Sequence, residues 1–276
     1  MSERPFLSVI TVSYNSAKTI GRTLDSLNKQ TSNDFESVVI DGESTDGTQA
    51  IIQSFGDLVA TFVSEKDSGI YDAMNKGIEK STGKYIAFLN SDDAYFPETI
   101  KLVQAFAKTA DASIIYGNLQ KERTLGKEVL TRVERPNLEL MPKTMGVFHP
   151  ATFVKKELFE KFGSYDLRFK QAADYHWLLR AYMEKSDFQY LDKPLARFST
   201  GGVSNFSCET YREATIIQKE LATGHHDEME KLHELCLKKR KRNIVVSKLA
   251  EWPILRDIYR HQIKKRWNWL DSLNTL

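Results

Sequence analysis

The sequence predicts an α/β fold with a mainly parallel central sheet flanked by helices and followed by a helical extension. Three observations predict it. Apolar runs alternate with helix-like patterns four times before residue 118. That rhythm breaks after Asn118, and from about residue 207 the pattern is helical to the end. Strand followed by helix, repeated, means right-handed crossovers and a sheet covered on both faces. A chain of 276 residues with 41% hydrophobic residues can bury such a core without staples.

FLSVITVSY (6–14) has the near-continuous apolar character of a buried strand, and residues 18–30 place Ile20, Leu24 and Leu27 at helical spacing. ESVVID (36–41) and TQAIIQSF (48–55) repeat the pair. ATFVSE (60–65) with IYDAMNKGIEKS (70–81), and KYIAFLN (84–90) with ETIKLVQAFAKT (98–109), repeat it again. ASIIYGN (112–118) is a fifth strand and 118–135 a short hairpin. Helices follow near 155–162 and 174–185, and LARFS (195–199) runs into Gly201-Gly202. These boundaries divide the chain into a domain of residues 1–206 and a helical extension of residues 207–276.

Charged residues at 28% and aromatics at 11% exclude disordered, collagen-like and coiled-coil classes. Cys208 and Cys236 are too few for a disulfide framework, which favours a reducing cytosol. No run approaches the roughly 18–20 apolar residues of a membrane span, and MSERPFLSVI lacks a signal-peptide layout. A cytoplasmic location is therefore expected. The net charge of +2 hides an asymmetry. Residues 238–266 carry eleven Lys and Arg against two acids, a net +9, while residues 1–237 carry −6. Leu249, Trp252, Tyr259, Ile263, Trp267 and Leu270 recur on one helical stripe beside these cations. That composition suits a peripheral contact of residues 238–270 with an anionic membrane surface at the inner face of the cytoplasmic membrane. Packing on the domain or on a second subunit in a homo-oligomer is the alternative. No nucleic-acid partner is expected.

Ligands of open parallel sheets bind beyond the carboxyl ends of the strands. Those ends read Ser13-Tyr14-Asn15, Asp41-Gly42-Glu43-Ser44, Glu65-Lys66-Asp67-Ser68-Gly69 and Asn90-Ser91-Asp92-Asp93. A single Asp there can be a turn former or cap; polar and acidic residues at all four ends point to a shared site. No G-x-G-x-x-G follows the first strand and no G-x-x-x-x-G-K-[ST] occurs, which disfavours dinucleotide and P-loop binding. An acidic edge would hold phosphates only across a cation, and hard oxygen ligands suit Mg²⁺ or Mn²⁺.

The series VSYN (12–15), DGESTDGT (41–48), EKDSGIYDAMNKGI (65–78) and FLNSDD (88–93) resembles the inverting family 2 glycosyltransferases of GT-A fold. FGSYD, AADYHWLLR and FSTGGVS extend the resemblance to about residue 205. It implies transfer of a sugar from a nucleotide-diphosphate donor, of UDP or dTDP type, to a hydroxyl of a glycan or polyprenyl-linked acceptor, as in bacterial surface-polysaccharide or lipid-linked oligosaccharide synthesis. On matching positions it implies Thr11, Ser13 and Asn15 in the nucleotide pocket and Asp41 accepting from the base, with a buried structural role as the alternative for Asp41. It places Asp67 and Gly69 at the diphosphate or sugar, with Asp72 and Asn75 on the adjoining helix or on its solvated face. The family's Asp-x-Asp metal motif reads Asn90-Ser91-Asp92 here, so Asp92 is expected to hold Mn²⁺ or Mg²⁺, with Asp93 assisting or capping a helix. Asp174, opening DYHWLLRAYMEK, is the expected catalytic base, or else an ordinary helix cap. His149 in VFHPATF, His176 and Trp177 are acceptor-side candidates. Two rival classes are a sugar-phosphate nucleotidyltransferase, disfavoured because SYNSAKT (13–19) has no glycine, and a non-catalytic nucleotide-sugar-binding module.

Overall fold

The computed structural model describes residues 4–125, 128–199 and 207–249. The first half runs β1 (Leu7–Ser13), α1 (Ile20–Asn28), β2 (Phe35–Asp41), α2 (Thr48–Ser54), β3 (Val59–Ser64), α3 (Ile70–Lys80), β4 (Tyr85–Phe88), the two-residue β5 (Ala94–Tyr95) and α4 (Thr99–Ala110). The second half runs β6 (Ile114–Leu125), β7 (Glu128–Glu134), β8 (Thr152–Lys155), α5 (Lys156–Phe162), α6 (Ala173–Met183), β9 (Phe188–Ser199), α7 (Cys208–Glu220) and α8 (His226–Leu249).

The strand order is β3-β2-β1-β4-β8-β6-β9-β5, with β7 on β6. The first four positions are parallel, as the strand–helix rhythm requires, with Ser13 opposite Asp41 and Asp41 opposite Ser64. Beyond β4 the sheet is mixed. β8 enters antiparallel between β4 and β6, and β6 then pairs in parallel with β9. Short β8, TFVK, gave too little periodicity to be legible. β9 begins seven residues before LARFS because it passes through Pro194, where its register against Gly117 and Asn118 breaks. A proline has no N–H for the ladder and is tolerated in a strand at such irregularities.

Period-two alternation divides the apolar side chains into two cores. Ile10, Val12, Ile40, Ile86 and Phe88 face α3, α5, α6 and α7, contributing to a core with Met74, Phe159, Trp177 and Ile217. Leu7, Val9, Val39 and Ala87 face the other way, packing with Leu24 and Leu27 of α1, Ile52 of α2 and Val103 of α4. The extension is not a detached appendage. Ala214, Ile217 and Met229 of α7 and α8 are buried in the first core. The sulfurs of Cys208 and Cys236 are bonded, joining α7 to α8. The two cysteines are too few for a framework, yet the short turn between the helices brings this pair together, and the bond removes the support their number gave to a reducing cytosol.

No described helix is long and apolar enough to cross a membrane. The backbone of α8 carries KKRKR (238–242) in helical form. Gly201-Gly202 and the amphipathic stripe after Leu249 lie outside the described residues.

Candidate active site

Because β1 to β4 are parallel, their carboxyl ends share one edge, and a cavity of about 750 Å³ opens there. Ser13, Asn15, Asp46, Asp67, Gly69 and Asp92 are among its walls. A second cleft of about 240 Å³ adjoins it, with Tyr71, Met74, His149, Lys170 and Asp174 in its lining. Ile70 and Asn90 line both.

The wall from β1 and β2 is held by internal hydrogen bonds. Asn15, with φ of 48°, donates its N–H to Ser44 Oγ at 2.8 Å and accepts from Thr45 N at 3.0 Å. Asp46 Oδ2 accepts from Ala17 N at 3.0 Å. This carboxylate lies below its ordinary pKa, mainly through the Thr48 hydroxyl bond. Asp41 is fully buried and its carboxylate accepts four bonds: Ser13 Oγ at 2.9 Å, Ser44 Oγ at 2.5 Å, Ser44 N at 2.8 Å and Ser64 Oγ at 2.9 Å. With its lone pairs so occupied, Asp41 is placed as a strut tying β1, β2 and β3 behind the pocket. Thr11 is likewise fully buried and is not among the pocket-lining residues.

Asp67 lies in the cavity wall and its Oδ1 accepts from Gly69 N at 2.9 Å. Gly69 caps α3 with φ of 126°, a conformation L side chains rarely adopt. Gly42 lets Asp67 sit where it does, since a Cβ at Gly42 would lie 2.4 Å from Asp67 Oδ2. Asp72 accepts from Ser68 N at 2.8 Å beside Lys76, and Asn75 exchanges two bonds with the Tyr165 backbone at 2.8 and 2.9 Å. Both therefore shape the loops around the cleft instead of lining it.

At the end of β4, Ser91 Oγ bonds Ser16 Oγ at 2.9 Å, and Asp92 is held above the ordinary carboxylate range by burial. Asp93 is fully buried and is pushed well above that range, first by burial and then by the charge of Asp92. It accepts from Ser199 N at 3.3 Å, and its Oδ2 has no partner among the described residues. It is not in the cavity wall. Among the described residues no three His, Cys, Asp and Glu converge as a preformed metal cluster. The donor set at the edge is Asp92 with Asn90, whose buried Oδ1 lacks a hydrogen-bond partner among the described residues. One carboxylate and a free amide oxygen fit a hard cation that takes its remaining ligands from water and phosphate.

In the second cleft, Asp174 stands in the first turn of α6. Its Oδ1 accepts from Tyr71 OH at 2.8 Å and from Tyr175 N at 2.9 Å. Burial, then the Asp174 charge, pushes the Tyr71 phenol well up, so it stays a proton donor to the carboxylate. His149 stacks on Phe88 with centroids 5.0 Å apart, and its Nε2 meets Tyr165 OH at 2.9 Å. Burial lowers its pKa, against the pull of Asp174. His149 thus lines the cleft. Trp177 does not: it is 1% exposed, stacks on Phe159 at 4.4 Å and donates Nε1–H to Gly163 O at 2.7 Å, which makes it a core residue. His176 is also buried, against Phe169, and lies outside the cleft lining. A helix turns successive side chains about 100° apart, so neighbours of Asp174 in sequence do not share its face. Asp166 is engaged by Arg168 at 2.7 Å.

Three contributors were not legible. Tyr71 falls in the predicted helix IYDAMNKGIEKS, and Glu213 and Gln218 in the helical pattern after residue 207. Yet Glu213 is 2% exposed and accepts from the N–H groups of Lys170, Gln171 and Ala172 at 2.8, 2.8 and 2.9 Å. Gln218 is fully buried and donates to Lys143 O at 2.8 Å and to Tyr175 OH at 3.0 Å. A signal existed: both adjoin Ala214, Ile217 and Leu221, whose helical spacing buries one side of α7.

This sheet, with a large cavity at its parallel edge and a carboxylate-bearing cleft beside it, has the architecture of a GT-A glycosyltransferase. Residues 8–163 match the model of Glycosyl transferase family 2, and the chain belongs to that family. A PGL/p-HBAD biosynthesis glycosyltransferase of Mycobacterium bovis is 30% identical over 223 residues, covering 78% of this chain and 82% of the relative. An uncharacterized glycosyltransferase of Haemophilus influenzae is 30% identical over 200 residues, covering 68% and 66%. The S. aureus TarS 1–349 structure in complex with UDP-GlcNAc superposes with a TM-score of 0.64 at 21% identity, over 81% of this chain and 70% of that one. A second S. aureus TarS structure is matched over 42% of that chain. A mannosyltransferase from Pyrobaculum calidifontis in complex with GDP-Man and Mn2+ superposes with a TM-score of 0.60 at 17% identity, over 99% and 88%. These last likenesses concern the fold. Asp174 and the helices behind it lie beyond the family-matched segment.

Proposed function

We propose that this glycosyltransferase moves a sugar from a UDP- or dTDP-type donor to an acceptor hydroxyl with inversion, in the synthesis of a surface polysaccharide or a lipid-linked glycan. The observation that carries the reading is the shared wall: the donor-sized cavity and the Asp174 cleft meet at Ile70 and Asn90. A donor seated along the strand ends would present its anomeric carbon where an acceptor oxygen could approach from the Asp174 side. Ser13, Asn15, Asp67 and Gly69 would hold the donor.

Asp174 is the general base in this reading. Both of its hydrogen bonds go to Oδ1, so among the described residues Oδ2 takes none. As the acceptor oxygen bonds to the anomeric carbon, its proton passes to Asp174. The bond from that carbon to the diphosphate oxygen breaks, and the nucleoside diphosphate departs with the electron pair. One displacement inverts the centre, through a transition state of oxocarbenium character. Tyr71 fixes the carboxylate, and alignment of the two substrates lowers the barrier entropically. Asp92 and Asn90 would hold Mn²⁺ or Mg²⁺, which supplies charge neutralisation at the leaving diphosphate.

Residues 238–270 are proposed to hold the enzyme at the inner face of the cytoplasmic membrane, near such an acceptor. The net +9 of residues 238–266 supports this. The deciding experiment screens UDP-, dTDP- and GDP-sugars by thermal shift with Mn²⁺, then follows the anomeric configuration of the product by NMR. Inversion with the wild type and loss of transfer in Asp174→Asn are expected. Retention of configuration, or full transfer by Asp174→Asn, overturns the reading. Unchanged donor binding without any transfer would indicate a binding module.

A further inference from the structure

Glu213 is an isolated buried acid in the middle of α7, 39 positions after Asp174 and outside the family-matched segment. Among the described residues it makes no ion pair. Its carboxylate is satisfied instead by three successive backbone N–H groups, of Lys170, Gln171 and Ala172, at 2.8, 2.8 and 2.9 Å. Ala172 is the residue that caps α6, and it offers that helix no side-chain cap. The carboxylate of Glu213 therefore anchors, from α7, the loop that leads into α6, ending on the N–H of the cap residue Ala172 itself. These donors precede the first turn of the helix, and a backbone N–H turned to a buried acceptor has no water to bond instead.

Burial makes this arrangement hard to replace. A buried acceptor with three donors aimed at it is charge-assisted and directional, and removing it leaves three backbone groups seeking water. Those three residues all line the Asp174 cleft, and Asp174 follows two residues later. The same helix clamps the other side of the cleft, since Gln218 bonds both Lys143 O and the hydroxyl of Tyr175.

We propose that Glu213 is a positioning residue for the catalytic base: by holding the 170–172 backbone it sets the start of α6 and hence the place of the Asp174 carboxylate. This rests on the reading of Asp174 as base. It makes α7 part of the catalytic apparatus, although Glu213 touches neither substrate. Glu213→Gln keeps the shape and one acceptor oxygen but turns an amide donor toward one of the three N–H groups. Glu213→Ala removes all three bonds.

The test uses the full chain with four variants: Glu213→Gln, Glu213→Ala, Asp174→Asn, and Leu27→Ala as a destabilised control in the opposite core. Turnover is measured with the nucleotide sugar that gives the largest thermal shift in the panel. Binding is measured with UDP and Mn²⁺, and amide exchange over residues 168–178 by mass spectrometry. Displacement of a catalytic group by ~1 Å can cost ~100-fold. Expected are a kcat loss of ~10-fold in Glu213→Gln and ~100-fold in Glu213→Ala, with UDP affinity within twofold of wild type. Exchange should rise at least tenfold over 168–178 in both. Leu27→Ala should keep kcat per folded molecule within twofold. If Glu213→Ala does not fold, Glu213→Gln carries the test through exchange and kcat.

The proposal is overturned if the Glu213 variants match Leu27→Ala in kcat per folded molecule. It is equally overturned if their loss lies in UDP affinity, or if exchange over 168–178 is unchanged. Full turnover by Asp174→Asn would show that the base reading itself has failed. An inactive Asp174→Asn beside unaffected Glu213 variants would show that only the positioning role has.

Discussion

Substituting Gly42 by Ala separates the donor site from the fold. Gly42 is not in the left-handed region, so an alanine fits its backbone, and Gly→Ala at such a position stabilises by ~0.4–1 kcal/mol through the unfolded chain. The added Cβ, however, would lie 2.4 Å from Asp67 Oδ2 and 3.3 Å from Tyr14 Cδ2. Carbon–oxygen contacts of ~3.3 Å are normal, so the carboxylate must retreat by ~1 Å. Tyr14 is 66% exposed and can swing away. Asp67 can yield only by turning its side chain, which loosens its 2.9 Å bond from Gly69 N. That bond contributes ~0.5–1.5 kcal/mol, close to the backbone gain, so stability should hardly change and Tm should stay within ~4 °C. Donor affinity should fall, because a hydrogen bond accepted by a charged group contributes ~1.5–3 kcal/mol, equivalent to ~10–100-fold in Kd. The assay is paired: thermal melting without ligand, and titration with the donor nucleotide sugar. Wild-type affinity in Gly42→Ala would refute the place of Asp67 at the donor. A large drop in Tm would refute the claim that only a side-chain tip is displaced.

Asp174→Asn should lower kcat by ~10²–10⁴-fold with donor KM nearly unchanged, read by steady-state kinetics at saturating acceptor. Tyr71→Phe should lower kcat less, because Asp174 keeps its bond from Tyr175 N; a loss equal to Asp174→Asn would make the phenol itself essential. Trp177→Ala should destabilise by ~3–5 kcal/mol in urea melts, with no selective effect on acceptor KM in the folded fraction. Asp93 carries a pH signature. Its folded pKa is raised, so the native state binds its proton more tightly than the unfolded chain. Its contribution to stability is therefore fullest below the unfolded value near 3.8 and declines as pH rises from there to the raised folded value. Asp93→Asn should flatten that decline and raise stability at neutral pH, measured by urea melts across pH 3–8; an unchanged slope would show that burial does not perturb Asp93.

The parallel half of the sheet was legible because each strand there is followed by its own crossover helix, and buried parallel strands read as unbroken apolar runs. In the mixed half β6, its hairpin with β7 and the end of β9 were legible, but the short strands and the full span of β9 were not. β8 is four residues long, β5 is two, and β9 contains Pro194, so periodicity had too few residues to act on. The site shows the same division. Strand-end residues such as Asn15, Asp67 and Asp92 were found by their place after apolar runs. Asp41 sits at such an end too, but three serine hydroxyls and a backbone N–H occupy its carboxylate, and that depends on residues up to 28 positions away. Trp177, an acceptor-side candidate, lies in the core, and Glu213, not singled out at all, holds the cleft loop, both for one reason. Whether a helical side chain faces solvent, a cleft or a core is set by what packs on that helix, and neighbours in sequence do not report it.

The wall that Ile70 and Asn90 give to both cavities has an evolutionary consequence. In an enzyme whose two substrates occupy separate chambers, selection can change the sugar delivered without disturbing what receives it. Here a substitution at either position alters both chambers at once. Ile70, 37% exposed at the start of α3, can be replaced with little cost to folding. Among relatives of this enzyme, a new donor at this wall should therefore arrive together with a new acceptor. Attempts to retarget one alone should meet their compensating changes on the opposite side of these two residues.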